Sequence, residues 1–108
     1  METITMILQS APYGDEKAWN ALRLAKAVVT GTEKMKVNIF LLGDAVTTAK
    51  RGQKPPEGYY NLEKMLKELI NQGVKAIACR TCVDARGLTQ EDLIEGVRVE
   101  TTIGDLAK

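Results

Sequence analysis

The chain contains no histidine, and this absence excludes several kinds of chemistry at once. Imidazole acid–base catalysis, Ser-His-Asp and Cys-His nucleophile pairs and histidine-ligated metals all need that side chain. Long hydrophobic runs are also missing, because no segment reaches the roughly 18 apolar residues that a membrane-spanning helix needs. The first five residues lack the basic and then apolar pattern of a signal peptide. We therefore expect a cytoplasmic protein with no membrane association.

The chain also has little excess charge of either sign. Fifteen lysines and arginines face fourteen aspartates and glutamates, which gives a formal net charge of +1. Such a balance gives no indication of a nucleic acid partner. Neither a Gly-x-Gly-x-x-Gly nor a Walker sequence is present, so no nucleotide or other cofactor is expected. The length of 108 residues predicts one domain over 1–108.

Short apolar runs alternate with amphipathic segments along the chain. Four runs of strand length, rich in β-branched residues, lie at 3–9, 37–42, 74–78 and 97–99. Between them, helical spacing predicts one helix capped by Asp15, with Trp19 in its core face, and another capped by Asn61. Shorter helical segments are expected at 45–50, at 83–86, from Thr89 to Glu95 and after Thr101 or Thr102. This alternation predicts an α/β fold with a parallel sheet between helix layers.

Ligands of open parallel sheets bind beyond the carboxyl ends of the strands, which draws attention to three loops. These loops are 10–14, 43–46 and 79–82. Ser10 could donate a hydrogen bond to a bound anion or only support its turn. Asp44 could place a carboxylate at this edge or cap the helical segment that follows. Tyr59 and Tyr60, after the loop with two prolines, could cover a pocket or anchor that loop.

Cys79 and Cys82 give the strongest chemical signal in the chain. Cys79 falls at the end of the third predicted strand, and Cys82 falls in the first turn of the helix that follows. A helix N-terminus offers free N–H groups and a positive dipole end, and Arg80 and Arg86 add positive charge, so a thiolate is favoured. Thiolates attack sulfur, which indicates a nucleophile towards a persulfide, a disulfide or another sulfur donor.

The cysteines allow three other interpretations. Both thiols could simply be small buried apolar groups. A thioredoxin-like pair is disfavoured because the last proline, Pro56, lies upstream of the cysteines, whereas such sites need a facing cis-proline downstream. A structural zinc site needs four ligands, and one cysteine pair without histidine supplies two, so no metal is expected.

The segment 78–88, Ala-Cys-Arg-Thr-Cys-Val-Asp-Ala-Arg-Gly-Leu, resembles the cysteine motif of the DsrE/DsrF-like family, in particular its small YchN-type branch. Supporting pieces follow in the expected order at 3–14, 41–46, 55–62 and 96–99. The resemblance implies a three-layer αβα sandwich with a mainly parallel sheet of four to five strands, and homo-oligomers, trimers or hexamers. By spacing to Arg86-Gly87, Cys79 matches the sulfur-carrying cysteine of the relay members and Cys82 the second cysteine of the small branch, so the assignment stays open between them.

The resemblance also implies a sulfur-relay-like protein that accepts sulfane sulfur as a cysteine persulfide and passes it on, as a sulfurtransferase or carrier. Its partners would be sulfur-donor and sulfur-acceptor proteins. In addition to the two cysteines, the candidate ligand-binding residues are Ser10, Asp44, Thr81 and Arg86. Two alternatives remain: a non-catalytic oligomeric module that binds a small ligand or a protein, and a dithiol/disulfide redox protein.

Overall fold

Strands and helices alternate along the chain as the sequence predicts, in a computed structural model that describes residues 2–31 and 35–100. In chain order the elements are β1 (Thr3–Leu8), α1 (Lys17–Thr30), β2 (Lys36–Leu41), a first 3-10 helix (Gly43–Ala49), α2 (Leu62–Asn71), β3 (Lys75–Cys79), α3 (Arg80–Ala85), a second 3-10 helix (Gln90–Asp92) and β4 (Arg98–Glu100). The α/β fold class is confirmed. Within the described ranges, no helix is long and apolar enough to cross a membrane.

The four strands form one parallel sheet in the order β1-β2-β3-β4, so each strand pairs with the next one along the chain. Leu8 lies opposite Leu41, and Leu41 lies opposite Ala78. This register aligns the carboxyl ends of β1, β2 and β3 at one edge of the sheet. The three loops singled out from the sequence therefore leave the sheet from that edge, as predicted.

One face of the sheet packs against the helices and forms the main core. Successive strand side chains point to opposite faces. The face with Ile39 and Leu41 meets the buried stripes of α1 and α2, in which Leu22 and Leu66 are fully buried. Burying one such leucine contributes about 1.5–3 kcal/mol. The helical spacing of these apolar residues thus determines which side of each helix faces the sheet.

Edge strand β1 is less covered than the central strands. Its burial alternates along the strand, and Ile7, which points away from the main core, is 59% exposed. Phe40 and Ile77, on the same face of the sheet in β2 and β3, are buried. The alternation in β1 therefore reflects its edge position.

Several predicted caps can be checked against the structure. Asn61 caps α2, because its side chain accepts a hydrogen bond from the amide of Lys64 at 3.1 Å. The prediction for Asp15 is wrong: Glu16 is the N-cap of α1, and the Asp15 carboxylate instead accepts from the amide of Lys17 at 2.8 Å in a local turn.

At Thr89 the predicted capping box with Asp92 is present, but the helix that it opens ends at Asp92 rather than Glu95. The predicted terminal helix after Thr101 or Thr102 lies outside the described residues.

Aromatic side chains gather on one flank of the molecule. Tyr60 stacks on Trp19 with ring centroids 4.7 Å apart, and on Tyr13 at 6.3 Å. The Arg23 guanidinium lies over the Trp19 ring at 4.5 Å from its centroid. Trp19 is therefore half-buried beneath a cation rather than deep in the core. Tyr60 anchors the loop with two prolines, whereas Tyr59 is exposed.

Candidate functional site

The two cysteines meet where β3 runs directly into α3. Cys79 is the N-cap of α3, and its sulfur accepts a hydrogen bond from the amide of Cys82 at 3.4 Å. With this three-residue spacing, the Cys79 sulfur accepts the hydrogen bond that a side-chain oxygen accepts at an ordinary N-cap. The two sulfur atoms lie 2.8 Å apart, and both thiols are free and half-buried. The predicted position of the pair, at the end of a strand and the start of a helix, is confirmed.

A third group comes from a different strand. The amide of Gly43 donates a hydrogen bond to the Cys82 sulfur at 3.2 Å, because Gly43 follows β2, the neighbour of β3 in the sheet. Gly43 has a φ of 57°, a left-handed conformation that glycine adopts without strain. The sequence does not reveal this donor. Every residue except proline carries a backbone N–H, so residue type cannot show which amide faces a sulfur. The glycine at the end of a strand was the one available signal.

Asp44 and Arg86 form an ion pair beside the thiols. A guanidinium nitrogen of Arg86 lies 2.7 Å from the Asp44 carboxylate, and another donates to the carbonyl oxygen of Cys82 at 3.0 Å. Asp44 is the second residue of the first 3-10 helix, whose N-cap is Leu42, so the capping interpretation of Asp44 is wrong. Its side chain is 70% exposed, and such a surface pair contributes little to stability. The pair instead keeps a positive charge next to Cys82.

The two thiols have opposite pKa shifts. Burial raises the pKa of Cys79, and the hydrogen bond to Cys82 raises it further. The Cys79 thiol lowers the pKa of Cys82 by donating to its sulfur, and the Gly43 amide and the Arg86 charge act in the same direction against burial. Cys82 therefore ionises first while the proton stays on Cys79. The amides at the start of α3 act on the Cys79 sulfur and lower its pKa, but burial and the hydrogen bond to Cys82 outweigh them.

The remaining candidates occupy different positions. Thr81 is exposed on α3 between the two cysteines, and a hydrogen bond from its backbone amide lowers the pKa of Cys79. Ser10 follows β1 and lines a groove between β1 and α1, with β2 between it and β3. Two strand spacings separate the ends of β1 and β3 by roughly 10 Å. The structure thus brings Cys79, Cys82, Asp44 and Arg86 together, while Ser10 lies further along the same edge.

The donor set also bears on metal binding. In the ranges 2–31 and 35–100, no cluster of three or more Cys, Asp and Glu side chains is placed to hold a metal ion. The groups that the structure does bring together are two thiols, one amide donor and one guanidinium.

A scan against known protein families matches the DsrE/DsrF-like family over residues 2–108. Protein YchN of Escherichia coli is 43% identical over 103 residues, which cover 95% of this chain and 87% of that protein. Its crystal structure superposes with a TM-score of 0.89, covering 99% of this chain and 90% of that one.

Two relatives with functional names are more distant. The protein named sulfurtransferase TusD homolog of Vibrio parahaemolyticus is 28% identical over 120 residues, covering 98% of this chain and 88% of that protein. The protein named intracellular sulfur oxidation protein DsrF of Allochromatium vinosum is 34% identical over 89 residues, covering 81% of this chain and 64% of that one.

Proposed function

The chain belongs to the DsrE/DsrF-like family, and we propose that it is a sulfur-relay protein in which Cys82 accepts sulfane sulfur and passes it on. The observation that carries this proposal is the environment of the Cys82 sulfur. The Gly43 amide lies 3.2 Å from it, the Cys79 sulfur lies 2.8 Å from it, and Arg86 stands beside it. All three groups favour a thiolate, which is the form that attacks sulfur.

Loading begins with attack of the Cys82 thiolate on the outer sulfur of a persulfide donor. A new sulfur–sulfur bond forms on Cys82, the donor's own sulfur–sulfur bond breaks, and the donor leaves as a thiolate. Delivery repeats this step in the opposite direction: an acceptor thiolate attacks the outer sulfur, and the Cys82 thiolate leaves. A thiol of low pKa is the better leaving group, so the lowered pKa of Cys82 serves delivery.

Cys79 controls how long the persulfide survives. If the Cys79 thiolate attacks the inner sulfur, a Cys79–Cys82 disulfide forms and hydrosulfide leaves. The raised pKa of Cys79 keeps it protonated and therefore slows this reaction. Before loading, the same S–H donates to the Cys82 sulfur, so Cys79 stabilises the Cys82 thiolate.

The other candidates have supporting roles in this proposal. Arg86 attracts the anionic donor sulfur, and Asp44 holds the Arg86 guanidinium at the site when no donor is present. Thr81 and Ser10 lie on the surface that a donor or acceptor protein would contact. We place the protein in the cytoplasm, as a homo-oligomer with a sulfur-donor and a sulfur-acceptor protein as partners. The relatives named sulfurtransferase TusD homolog and DsrF support these partners.

Intact-protein mass spectrometry after incubation with glutathione persulfide tests the proposal. Wild type should gain one sulfur atom, and an acceptor thiol added afterwards should remove it. Cys82→Ala should gain none, whereas Cys79→Ala should still load, and its adduct should last longer because no thiol is adjacent. Loading of Cys82→Ala equal to wild type would refute Cys82 as the carrier, and the absence of an adduct on every form would refute sulfur transfer.

A dithiol/disulfide redox function is the second candidate, because the two sulfur atoms already lie 2.8 Å apart. A protein of this kind cycles between dithiol and disulfide and passes on no sulfane sulfur. Because oxidation of the pair by glutathione persulfide also releases hydrosulfide, the two functions are separated by measuring transfer of sulfane sulfur from the loaded protein to an added acceptor thiol. Disulfide exchange at full rate with no transferable sulfur at any time would favour the redox function.

A further inference from the structure

The first 3-10 helix supplies one group that contacts Cys82 and one that pairs with Arg86, so its placement matters for the site. Gly43 at its start supplies the amide, and Asp44 at its second position holds Arg86. A 3-10 helix of seven residues is long for this type, whose hydrogen bonds have poorer geometry than those of an α-helix. The segment therefore depends on contacts from the rest of the fold to keep its conformation.

Thr48 in the same helix carries a polar group in an unfavourable position. Its side chain is fully buried, and its hydroxyl finds no hydrogen-bond partner in the part of the chain that the structure describes. A buried polar group of this kind is destabilising. Locally unfavourable segments persist when the surrounding structure over-determines them, and they concentrate at functional sites.

Gln53 holds the far end of this helix. Its side-chain nitrogen donates to the carbonyl oxygens of Thr48 at 2.8 Å and Lys50 at 2.9 Å, and its side-chain oxygen accepts from the Tyr13 hydroxyl at 2.6 Å. The amide of Leu62 donates to that hydroxyl at 3.1 Å. The orientation of the carboxamide is therefore fixed, because a flipped group would turn its oxygen towards two carbonyl oxygens.

We propose that Gln53, held by Tyr13, is a positioning residue that keeps the first 3-10 helix in the register at which the Gly43 amide faces the Cys82 sulfur. The network connects the loop after β1, the start of α2 and the end of the 3-10 helix. Nothing in it touches the thiols, so Gln53 acts only through the helix. The inference rests on the proposed function in one respect: Cys82 is taken as the reacting thiol.

Gln53→Glu tests this role with almost no change of shape. A carboxylate cannot donate to the Thr48 and Lys50 carbonyl oxygens, so the end of the helix should shift. We expect the pKa of Cys82, measured from the pH dependence of alkylation by iodoacetamide, to rise by up to about one unit. Below the pKa this corresponds to about tenfold slower alkylation at a given pH. Tyr13→Phe, which removes a single hydroxyl, should give a smaller shift in the same direction.

Gln90→Glu is the matched control. Gln90 is also a glutamine whose side chain donates to a carbonyl oxygen, that of Val97 at 3.0 Å, and not to a carbonyl oxygen of the first 3-10 helix. A loss of thermal stability in both variants, with a shifted Cys82 pKa in Gln53→Glu alone, supports positioning. Equal thermal losses with an unchanged Cys82 pKa in both would show a structural role only. If Gln53→Glu does not fold, an unchanged pKa in Tyr13→Phe overturns the inference.

This titration needs no sulfur donor, so the two proposals can fail separately. A Cys82 pKa that depends on Gln53 in a protein that never loads sulfur would refute the proposed function and keep the inference. Sulfur loading on Cys82, with a Cys82 pKa that does not respond to Gln53→Glu or Tyr13→Phe, would support the proposed function and refute the inference.

Discussion

The Gly43 amide lies 3.2 Å from the Cys82 sulfur although 39 residues separate the two in the chain. This contact exists because β2 and β3 are neighbours in the sheet, so folding creates it and unfolding removes it. The environment of the Cys82 sulfur is therefore a property of the folded protein and not of the Cys-x-x-Cys segment alone.

The two thiols should alkylate over different pH ranges. Because only thiolate reacts, Cys82 should be modified first at neutral pH, and Cys79 should follow only at higher pH. Cys79→Ala removes the S–H donor, so the Cys82 profile should move to higher pH by about one unit. Mass spectrometry of the modified peptides measures both profiles. Denatured protein, in which both thiols should react alike, is the reference, and identical profiles in folded protein would contradict the assignment.

Gly43→Ala should damage the site and the fold together. A left-handed alanine costs about 1–2 kcal/mol, and relief of this strain should turn the amide away from Cys82 and slow its alkylation. Gly73→Ala is the control, because Gly73 also has a positive φ but precedes β3 at the opposite edge of the sheet. Both variants should unfold at lower urea concentration. Unchanged Cys82 alkylation in Gly43→Ala would show that the amide contributes nothing.

Arg86→Gln should raise the pKa of Cys82 modestly, because the guanidinium charge lowers it. The Arg86 side chain is 31% exposed, so solvent and salt screen its effect, and we expect a shift of about 0.5 unit or less at low ionic strength. The shift should shrink in high salt. Arg23→Gln on α1, which removes the same charge far from the thiols, should leave the alkylation profile where it is.

Thr48→Val should keep or increase stability, whereas Thr47→Val should reduce it. The buried Thr48 hydroxyl is unpartnered within residues 2–31 and 35–100, and valine has almost the same shape, so up to about 1 kcal/mol could be gained. The Thr47 hydroxyl donates to the Asp44 carbonyl oxygen at 2.8 Å, and its loss should cost about 0.5–1.5 kcal/mol. Urea denaturation of both variants measures the difference, and a destabilised Thr48→Val would reveal a partner for that hydroxyl.

Local patterns made much of the fold predictable. Apolar runs located the strands, Asn61 marked the start of α2, and the capping box of Thr89 and Asp92 was visible from its spacing. The position of Cys79 between a strand and a helix followed from the same signals. Each of these features depends on residues within a few positions of one another, so side-chain type and spacing were enough.

The order of the strands was not available from local patterns, and the details of the site depend on it. Because β2 lies between β1 and β3, the loop with Gly43 and Asp44 reaches the cysteines, while Ser10 does not. Asp44 and Arg86 were both candidates, but their pairing across 42 residues needed coordinates. Which of the two cysteines has the lower pKa likewise depends on burial and on which sulfur accepts the hydrogen bond from the Gly43 amide.

The stack of Trp19 on Tyr60, which ties α1 to the loop with two prolines, has an optical consequence. Trp19 is the only tryptophan in the chain, so the tryptophan emission of the protein comes from one indole whose neighbours are known. Through its stack on Tyr60, 41 residues away along the chain, that ring reports whether the loop with two prolines is docked. The molecule thus carries a built-in, label-free fluorophore on the flank where Tyr13 and Gln53 are hydrogen-bonded.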